Sequence, residues 1–235
     1  MRTKSIWGNP PTRIYNIQNL LKKEKGEFTT CIVGCSDGKF LMPFARNKNF
    51  VVGYDIDEIA LFGGKKMFPI KKDDEKFEYS KDFVSKDFEL EERKVVGLVE
   101  RLEIEGCSHF AKIELRDFYR NVPDEEFDLV FTSCSLHYTK NKEFTLEDKI
   151  NKLKQITKKD GYLYIDYMMA IDESDYENYS EVKFFRKGEI RKFFDESWEI
   201  LRLVENNKPT FEPAHVDCVK DHFHRFGYLL ARRVK

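Results

Sequence analysis

The sequence lacks an excess of charge of either sign, because 41 basic and 42 acidic residues nearly cancel over 235 positions. This balance gives no electrostatic case for a general nucleic-acid or membrane-surface binder, although it leaves room for a local basic patch. Long apolar runs are missing too. No window approaches the ~18 apolar residues of a bilayer span, and residues 1–30 hold no run suited to a signal peptide.

Cysteine is scarce as well. The five cysteines are odd in number and irregularly spaced, which is untypical of a disulfide framework and fits a reducing compartment. Cys31 and Cys35 are separated by three residues, a spacing that is typical of neither a zinc site nor a redox motif. We therefore expect a cytoplasmic protein.

Short apolar runs alternate with segments of helical pattern along most of the chain. This alternation predicts an α/β fold in which a mostly parallel sheet is covered on both faces. A helix is predicted over 145–161, with Gly161 as its C-cap. The last two strands are expected to form an antiparallel pair at one edge. The predicted strands are 29–33, 50–54, 110–114, 127–132, 161–166, 198–204 and 225–232.

One segment interrupts this rhythm. The stretch between Asp57 and the strand at 110 is much longer than an ordinary crossover requires. Within it, residues 70–94 mix charges of both signs with aromatic residues. We therefore predict a charged helical insertion over 58–108, which is either a solvated addition without chemical importance or a lid over the active site.

A glycine turn follows the first predicted strand, and an acidic residue ends the second. Gly34 and Gly38 let the backbone turn sharply and approach a ligand, and the N–H groups that follow favour an anion. Asp55 would lie beside this turn, where a carboxylate accepts hydrogen bonds from the hydroxyls of a ribose. With Ser36 between the glycines, the spacing differs from the G-x-G-x-x-G of dinucleotide sites. The pattern favours S-adenosylmethionine over NAD.

Five segments in order carry a family resemblance: VGCSDGKF, GYDID, IELRDFY, FDLVFTSCSLHY and ITKKDGYLYIDYM. The series resembles the motif set of the class I S-adenosylmethionine-dependent methyltransferases over roughly residues 28–170. The resemblance implies a single domain over 1–235 with a Rossmann-like, doubly wound, seven-stranded sheet and an antiparallel C-terminal edge strand. It also implies that an N-terminal piece, 1–27, folds over the cofactor as a helix or lid.

The resemblance also implies which residues bind the cofactor. Asp55 would bind the ribose and Ile56 the adenine face, and Ser133 would contact the cofactor through its backbone. Two positions depart from the family pattern, since Ile32 stands where an acidic residue is common and Ser36 replaces the middle glycine. Asp117 would hydrogen-bond the adenine amine, and Phe118 would stack on the adenine ring. The loop around the methionine part of the cofactor comprises Gly34, Cys35, Ser36, Asp37 and Gly38.

Candidate catalytic residues follow the fourth predicted strand, in the segment SCSLHY. His137 and Tyr138 are placed to orient or deprotonate an acceptor, since the pKa of histidine lies nearest working pH. The alternative for His137 is a packing residue at the start of a helix. Methyl transfer is an in-line displacement that depends mainly on proximity and alignment, so it requires no nucleophile such as Cys134.

The C-terminal tail gathers His215, His222 and His224 beside Glu212 and Cys218. The linear spacing of these residues matches no standard zinc pattern, so the sequence predicts no metal site. On a strand, His222 and His224 would point to one face. They are expected either to line a substrate pocket or to form polar surface. The tail is also similar to the C-terminal end of the tellurite-resistance and thiopurine-type small-molecule methyltransferases.

Residues 6–25 predict a proline turn followed by a helix whose role is either packing or cofactor contact. In the second case Trp7, Arg13 and Tyr15 would be lid contacts. With the segment SLHY, this region also resembles the messenger-RNA cap guanine-N7 methyltransferases.

Three functions from different classes therefore stay open. The first is methyl transfer to a small-molecule or peptide acceptor, which the balanced charge favours. The second is RNA methylation of the cap type, and the third is a non-catalytic protein that binds the cofactor to regulate a partner. No membrane partner is expected. The RNA function requires a basic groove built from Lys22, Lys23, Lys25, Lys65, Lys66, Lys71 and Lys72.

Overall fold

A computed structural model describes residues 2–70, 76–137, 143–172 and 184–235. The helices are α1 (Thr12–Lys25), α2 (Met42–Arg46), α3 (Glu58–Phe62), α4 (Leu98–Ile104) and α5 (Leu146–Gln155). The strands are β1 (Thr30–Val33), β2 (Val51–Asp55), β3 (Gly64–Pro69), β4 (Leu90–Val95), β5 (Ala111–Leu115), β6 (Phe127–Ser133), β7 (Thr157–Met169), β8 (Trp198–Glu205), β9 (Thr210–Glu212) and β10 (His222–Arg233).

The central sheet has the strand order β5-β2-β1-β6-β7-β10-β8, and β9 pairs with β10 outside this row. All seven predicted strands are in it. The first five in the row are parallel, with Thr30 of β1 aligned with Val51 on one side and Leu129 on the other. β10 runs antiparallel to both β7 and β8, so the predicted antiparallel C-terminal pair lies at this edge.

Side chains of alternate residues enter two hydrophobic cores, one on each face of the sheet. On β1, Cys31 and Val33 lie in one core and Ile32 lies in the other. Apolar residues of α5 cover the first face, and those of α1, α2 and α4 cover the second. All four residues of β1 are buried, as expected for a parallel strand between two helical layers. In the described parts of the chain, none of the helices is long and apolar enough to span a bilayer.

The predicted helix over 145–161 is shorter in the structure, and Gly161 is not its C-cap. Helix α5 begins with a capping box between Thr145 and Asp148 and ends at Gln155. Gly161 lies inside β7, where the register against β6 shifts. A Cβ atom at Gly161 would lie 2.8 Å from the carbonyl oxygen of Lys158. Gly161 therefore allows the backbone of β7 to become irregular at a point where neighbouring backbone atoms approach too closely for a side chain.

The insertion over 58–108 is helical only at its two ends. Its described middle contains an antiparallel ribbon, β3 with β4, in place of the predicted helix. Most ribbon positions are half-buried or exposed on both faces. Lys65 pairs with Glu92 across the ribbon at 2.6 Å. Because neither face is buried, the ribbon shows no alternation of apolar and polar residues that would have indicated strands.

Aromatic side chains attach the chain after the ribbon's first strand to the C-terminal strands. Phe77 and Phe83 pack edge to face on Phe211, with ring centroids 5.3 and 6.3 Å away. Phe83 and Tyr79 pack in the same way on Phe223, at 5.1 and 5.4 Å. Edge-to-face pairs of this kind are stabilising beyond the area that they bury. The insertion is thus fixed to β9 and β10.

The environment of Glu105 makes the free energy of unfolding depend on pH. Its carboxylate accepts hydrogen bonds from Thr3 and Arg46 at 2.6–2.7 Å. Burial raises the pKa of Glu105, but the bonds from Arg46 and Thr3 outweigh it and lower the pKa from 4.5 to about 2. The folded pKa is depressed, so this stabilisation is complete above pH 4.5 and is lost as the pH falls toward 2. We expect Glu105→Gln to lower the free energy of unfolding at pH 7 by about 2 kcal/mol.

The measurement is urea unfolding of both proteins from pH 7 down to pH 3. The variant should lose less stability than the wild type over this range, because it no longer carries the depressed group. Glu103→Gln, at an exposed position of α4, is the matched control and should keep the wild-type slope. Equal slopes for the wild type and Glu105→Gln would contradict the assignment.

Candidate active site

The glycine turn follows β1 at the carboxyl edge of the sheet. Gly34, Ser36 and Gly38 have φ angles of 74°, 47° and 89°, in the left-handed region. The N–H of Gly34 donates to the carbonyl oxygen of Tyr54 at 2.9 Å, which ties the turn to β2. A Cβ atom at Gly34 would lie 2.8 Å from the Cβ of Ser135. The turn therefore needs glycine both for its conformation and for its approach to the loop after β6.

Asp55, the last residue of β2, lies directly against this turn. One carboxylate oxygen accepts a hydrogen bond from the backbone N–H of Ser36 at 2.6 Å, and the other accepts one from Asp57 at 2.9 Å. Burial raises the pKa of Asp55, and these backbone N–H groups offset only part of the effect. The structure thus brings the turn and the carboxylate together, as the sequence predicted.

The predicted adenine contacts lie around the same edge. Ile56 is exposed directly after β2, and Asp117 is half-buried after β5. Phe118 is buried, and its ring packs 5.9 Å from the ring of Tyr54. Ser133 ends β6, and its hydroxyl donates to the carboxylate of Asp166 at 3.2 Å. These residues therefore follow β2, β5 and β6 at one end of the sheet, where ligands bind in open α/β folds.

Two residues of the predicted cofactor loop have buried side chains that contact other parts of the protein. The Cys35 side chain is buried in the core, and burial raises its pKa. Asp37 is buried, and its carboxylate accepts hydrogen bonds from the hydroxyl of Ser5 at 2.6 Å and the N–H of Ile6 at 2.8 Å. It also forms a salt bridge with buried Arg101 at 3.1 Å. Cofactor contact by both residues stays a prediction, restricted to their backbone groups.

Residues 3–8, here called the N-terminal strap, cross over the glycine turn. The indole N–H of Trp7 donates to the hydroxyl of Ser36 at 3.0 Å. On its other side the Trp7 ring contacts the ring of His215 edge to face, with centroids 5.2 Å apart. The strap therefore lies between the turn and the C-terminal tail.

A charged network that the sequence did not predict joins the start of α1 to β7 and to the end of β6. Arg13, at the start of α1, donates from Nη2 to both carboxylate oxygens of Asp166 of β7, at 2.9 and 3.1 Å. Tyr164 donates to the same carboxylate at 2.8 Å, and Ser133 donates to it at 3.2 Å. Burial lowers the pKa of Arg13, but the carboxylate of Asp166 raises it overall. The signal in the sequence is an aspartate inside an otherwise apolar buried strand, which requires a partner.

The predicted catalytic residues differ in what surrounds them. His137 is 1% exposed, and its Nε2 accepts a hydrogen bond from the backbone N–H of Met168 at 2.6 Å. Its ring also lies against Phe184 and Phe185. These contacts are those of a packing residue, and the catalytic role of His137 stays a prediction. Tyr138 lies outside the described residues.

Cys134 occupies the tip of β6 with a φ of 56°. Burial, followed by the nearby charge of Asp166, raises the pKa of its thiol to about 12. A thiol that stays protonated at neutral pH is a poor nucleophile. This environment agrees with the expectation that Cys134 does not act in that role.

The C-terminal histidines form a cluster that contacts the N-terminal strap through the rings of His215 and Trp7. His222 and His224 share one face of β10, with their Nε2 atoms 2.7 Å apart. Burial, followed by the neighbouring imidazoles, lowers the pKa of His224 to about 3, so this ring is neutral at physiological pH. Burial lowers the pKa of Lys39, and the nearby Glu212 carboxylate opposes that shift. The same carboxylate adds to the effect of burial in raising the pKa of Cys134. The histidine group is therefore part of the wall around the carboxyl edge.

No protein-family model matches the sequence, and no curated protein matches it. Solved structures do match. TehB from Haemophilus influenzae superposes with a TM-score of 0.63 at 15% identity, over 95% of this chain and 62% of the TehB chain. Magnesium protoporphyrin IX methyltransferase (ChlM) from Synechocystis PCC 6803, with bound SAH, gives 0.58 at 13% identity, over 97% and 90% of the two chains. The [4+2]-cyclase SpnF gives 0.57 at 12% identity, over 93% and 80%.

The chain thus spans less than two thirds of the TehB chain and most of the other two. At these identities the likeness concerns the fold. That fold is the one implied by the motif series, the fold of the class I S-adenosylmethionine-dependent methyltransferases.

Proposed function

We propose that this protein transfers a methyl group from S-adenosylmethionine to a small-molecule or peptide acceptor. The observation that carries the proposal is the meeting of the 34–38 turn with the Asp55 carboxylate at the carboxyl edge of β1 and β2. A strand-end carboxylate beside a glycine turn suits a ribose and the group attached to it. The shared fold with a methyltransferase that has bound SAH supports the same cofactor.

The residues at this edge fit such a cofactor. The absence of a side chain at Gly34 keeps the backbone open at a point where any Cβ would meet Ser135. Asp55 would hold the ribose, and Ile56 and Phe118 would border the adenine. The backbone of residues 34–38 would face the methionine part. Asp37 would act indirectly, since its carboxylate holds the N-terminal strap over the turn.

The chemistry asks little of the protein beyond positioning. The cofactor, when bound, supplies a methyl group on a sulfonium, which is open to in-line displacement. The protein's contribution is to align the acceptor and exclude water, and alignment accounts for up to roughly 7–11 kcal/mol of a barrier in favourable cases. The N-terminal strap contacts both the glycine turn and His215, so it covers the edge of the sheet at which this alignment would occur.

His137 is tested by a substitution that preserves its hydrogen bond. In His137→Gln, the amide oxygen can still accept from the Met168 N–H, so the fold should remain intact. We expect turnover within a few-fold of wild type and unchanged cofactor affinity, because the buried contacts of His137 are those of packing. Turnover with a confirmed acceptor is the measurement. A loss of about 100-fold or more, the scale of general acid–base catalysis, would instead support the catalytic role that the sequence predicts for His137.

The RNA alternative requires lysines that lie together in one groove. Among the described residues they are divided between two ends of the sheet. Lys25 pairs at 3.3 Å with Asp128, at the amino end of β6. Lys66 instead pairs with Asp57, just after the carboxyl end of β2. Lys71 and Lys72 lie outside the described residues. This division favours the small-molecule or peptide acceptor.

The test is incubation of the protein with methyl-labelled S-adenosylmethionine and a cell lysate fractionated by size. We expect label in the small-metabolite or peptide fraction. Label in RNA would support the cap-type alternative, and a steep salt dependence of binding would accompany it, since each phosphate contact adds nearly one unit of slope. Tight cofactor binding in calorimetry without label in any fraction would support the non-catalytic alternative.

A further inference from the structure

The short ladder between β9 and β10 has two chemically different faces. Phe223 pairs with Phe211, and these rings face the insertion. Successive residues of a strand point to opposite faces. Glu212, paired with His222, and His224 therefore share the other face of the ladder. Strand pairing thus assembles a carboxylate and two imidazoles that are separate along the chain.

The ligand atoms of these three side chains converge. One nitrogen or oxygen from each of Glu212, His222 and His224 lies within 4.8 Å of the corresponding atoms of the other two. The Nε2 atoms of the two histidines are 2.7 Å apart, and the Nε2 of His224 is 3.4 Å from Glu212. All three residues are half-buried. Side chains in this arrangement need only small rotations to place three donors about one ion.

Outer contacts orient the convergent groups. The Nδ1 of His222 lies 2.7 Å from the carbonyl oxygen of Lys220. A carbonyl accepts only, so Nδ1 of His222 donates to it, and this hydrogen bond directs the Nε2 atom of His222 into the cluster. The Nδ1 of His215 accepts from the N–H of Asp217, which directs its Nε2–H toward Glu212 at 3.8 Å. Ligating histidines and carboxylates in metal sites are held by such outer partners.

We propose that Glu212, His222 and His224 form a binding site for a divalent transition-metal ion of the zinc type. Two imidazoles and one carboxylate are a ligand set that zinc accepts, and three protein ligands leave a coordination position open. The linear spacing concealed this set, because the carboxylate comes from a neighbouring strand. The Glu212 carboxylate lies near Cys134, which follows the end of β6. On the proposed function, an open position there would be available to an oxygen or nitrogen atom of an acceptor.

The proposal is tested by titrating the purified protein with Zn²⁺ in a calorimeter and with Co²⁺ in a spectrophotometer, both without cofactor. We expect one ion per chain and visible Co²⁺ bands typical of a low-coordinate site with nitrogen and oxygen ligands. Glu212→Gln and His224→Ala should each weaken zinc binding by more than the roughly 10–100-fold that follows loss of an outer partner. Thermal unfolding of each variant confirms that it is folded.

His109→Ala is the matched control, because His109 is exposed and lies elsewhere, in a short 3-10 helix after α4. It should bind zinc as the wild type does. Zinc affinity that is unchanged in Glu212→Gln and His224→Ala, or no binding above that of nonspecific surface histidines, would overturn the proposal. Because the titration uses neither S-adenosylmethionine nor an acceptor, its outcome is independent of the proposed methyl transfer.

Discussion

Replacing Arg101 with methionine is expected to lower the free energy of unfolding by about 3–5 kcal/mol, since it leaves a buried charge without its partner. The side chains of Arg101 and Asp37 are 2% and 1% exposed and form a salt bridge at 3.1 Å. Arg101 also donates to the carbonyl oxygen of Asp37 and, at 3.0 Å, to the hydroxyl of Thr3. The substitution therefore removes support from both the glycine turn and the N-terminal strap. Urea denaturation measures the loss.

The matched control is Arg120→Met, because Arg120 forms its ion pair with Glu143 on the surface at 2.8 Å. Exposed pairs contribute little to stability, so this variant should unfold as the wild type does. Equal destabilisation by the two substitutions would mean that the burial of the Arg101 pair has no particular importance. A double variant, Arg101→Met with Asp37→Asn, should recover part of the loss, since it removes the uncompensated charge.

The second large effect is expected for Asp55→Ala, which should weaken S-adenosylmethionine binding by roughly 10- to 150-fold. The estimate follows from about 1.5–3 kcal/mol for the loss of hydrogen bonds to a charged group. The carboxylate lies at the end of β2 and already holds the Ser36 N–H of the turn at 2.6 Å. Its removal would take away the proposed ribose acceptor and one anchor of the turn together. Isothermal titration with the cofactor is the measurement.

Two further variants separate these contributions. Asp55→Asn keeps one oxygen that can accept from Ser36, so it should preserve the turn while weakening the ribose contact. Asp160→Ala removes an exposed carboxylate near the start of β7, at the opposite edge of the sheet, and should leave affinity unchanged. Full cofactor affinity in both Asp55 variants would show that the cofactor lies elsewhere and would remove the basis of the proposed function.

The sheet and the core of the site were predictable because local patterns encode them. Buried parallel strands are continuous apolar runs, so β1, with Cys31, Ile32 and Val33 all buried, stands out in the sequence. The carboxyl ends of adjacent parallel strands meet at one edge of a sheet. That rule alone brings Gly34 and Asp55 together, and the structure places them in contact through Ser36.

Other features depend on contacts between distant parts of the chain, which no local pattern contains. The β3–β4 ribbon buries neither face, so it lacks the periodicity that marks a strand. Arg13 meets Asp166 only after α1 has packed across the sheet. Glu212 joins the histidines only through pairing of β9 with β10. In each case the residue types were visible, and their partners were not.

The aromatic contacts of the insertion carry a last consequence. Phe77 and Phe83 rest on the side of the β9–β10 ladder opposite to His222 and His224, so a single thin layer of backbone separates the two surfaces. The carboxylate and the imidazoles keep their spacing only while the aromatic contacts on the opposite face hold the β9–β10 ladder in place. The aromatic residues near position 80 thus help to set the geometry of a cluster more than a hundred positions further along the chain. Substitutions at Phe77 or Phe83 would therefore change the spacing of Glu212, His222 and His224.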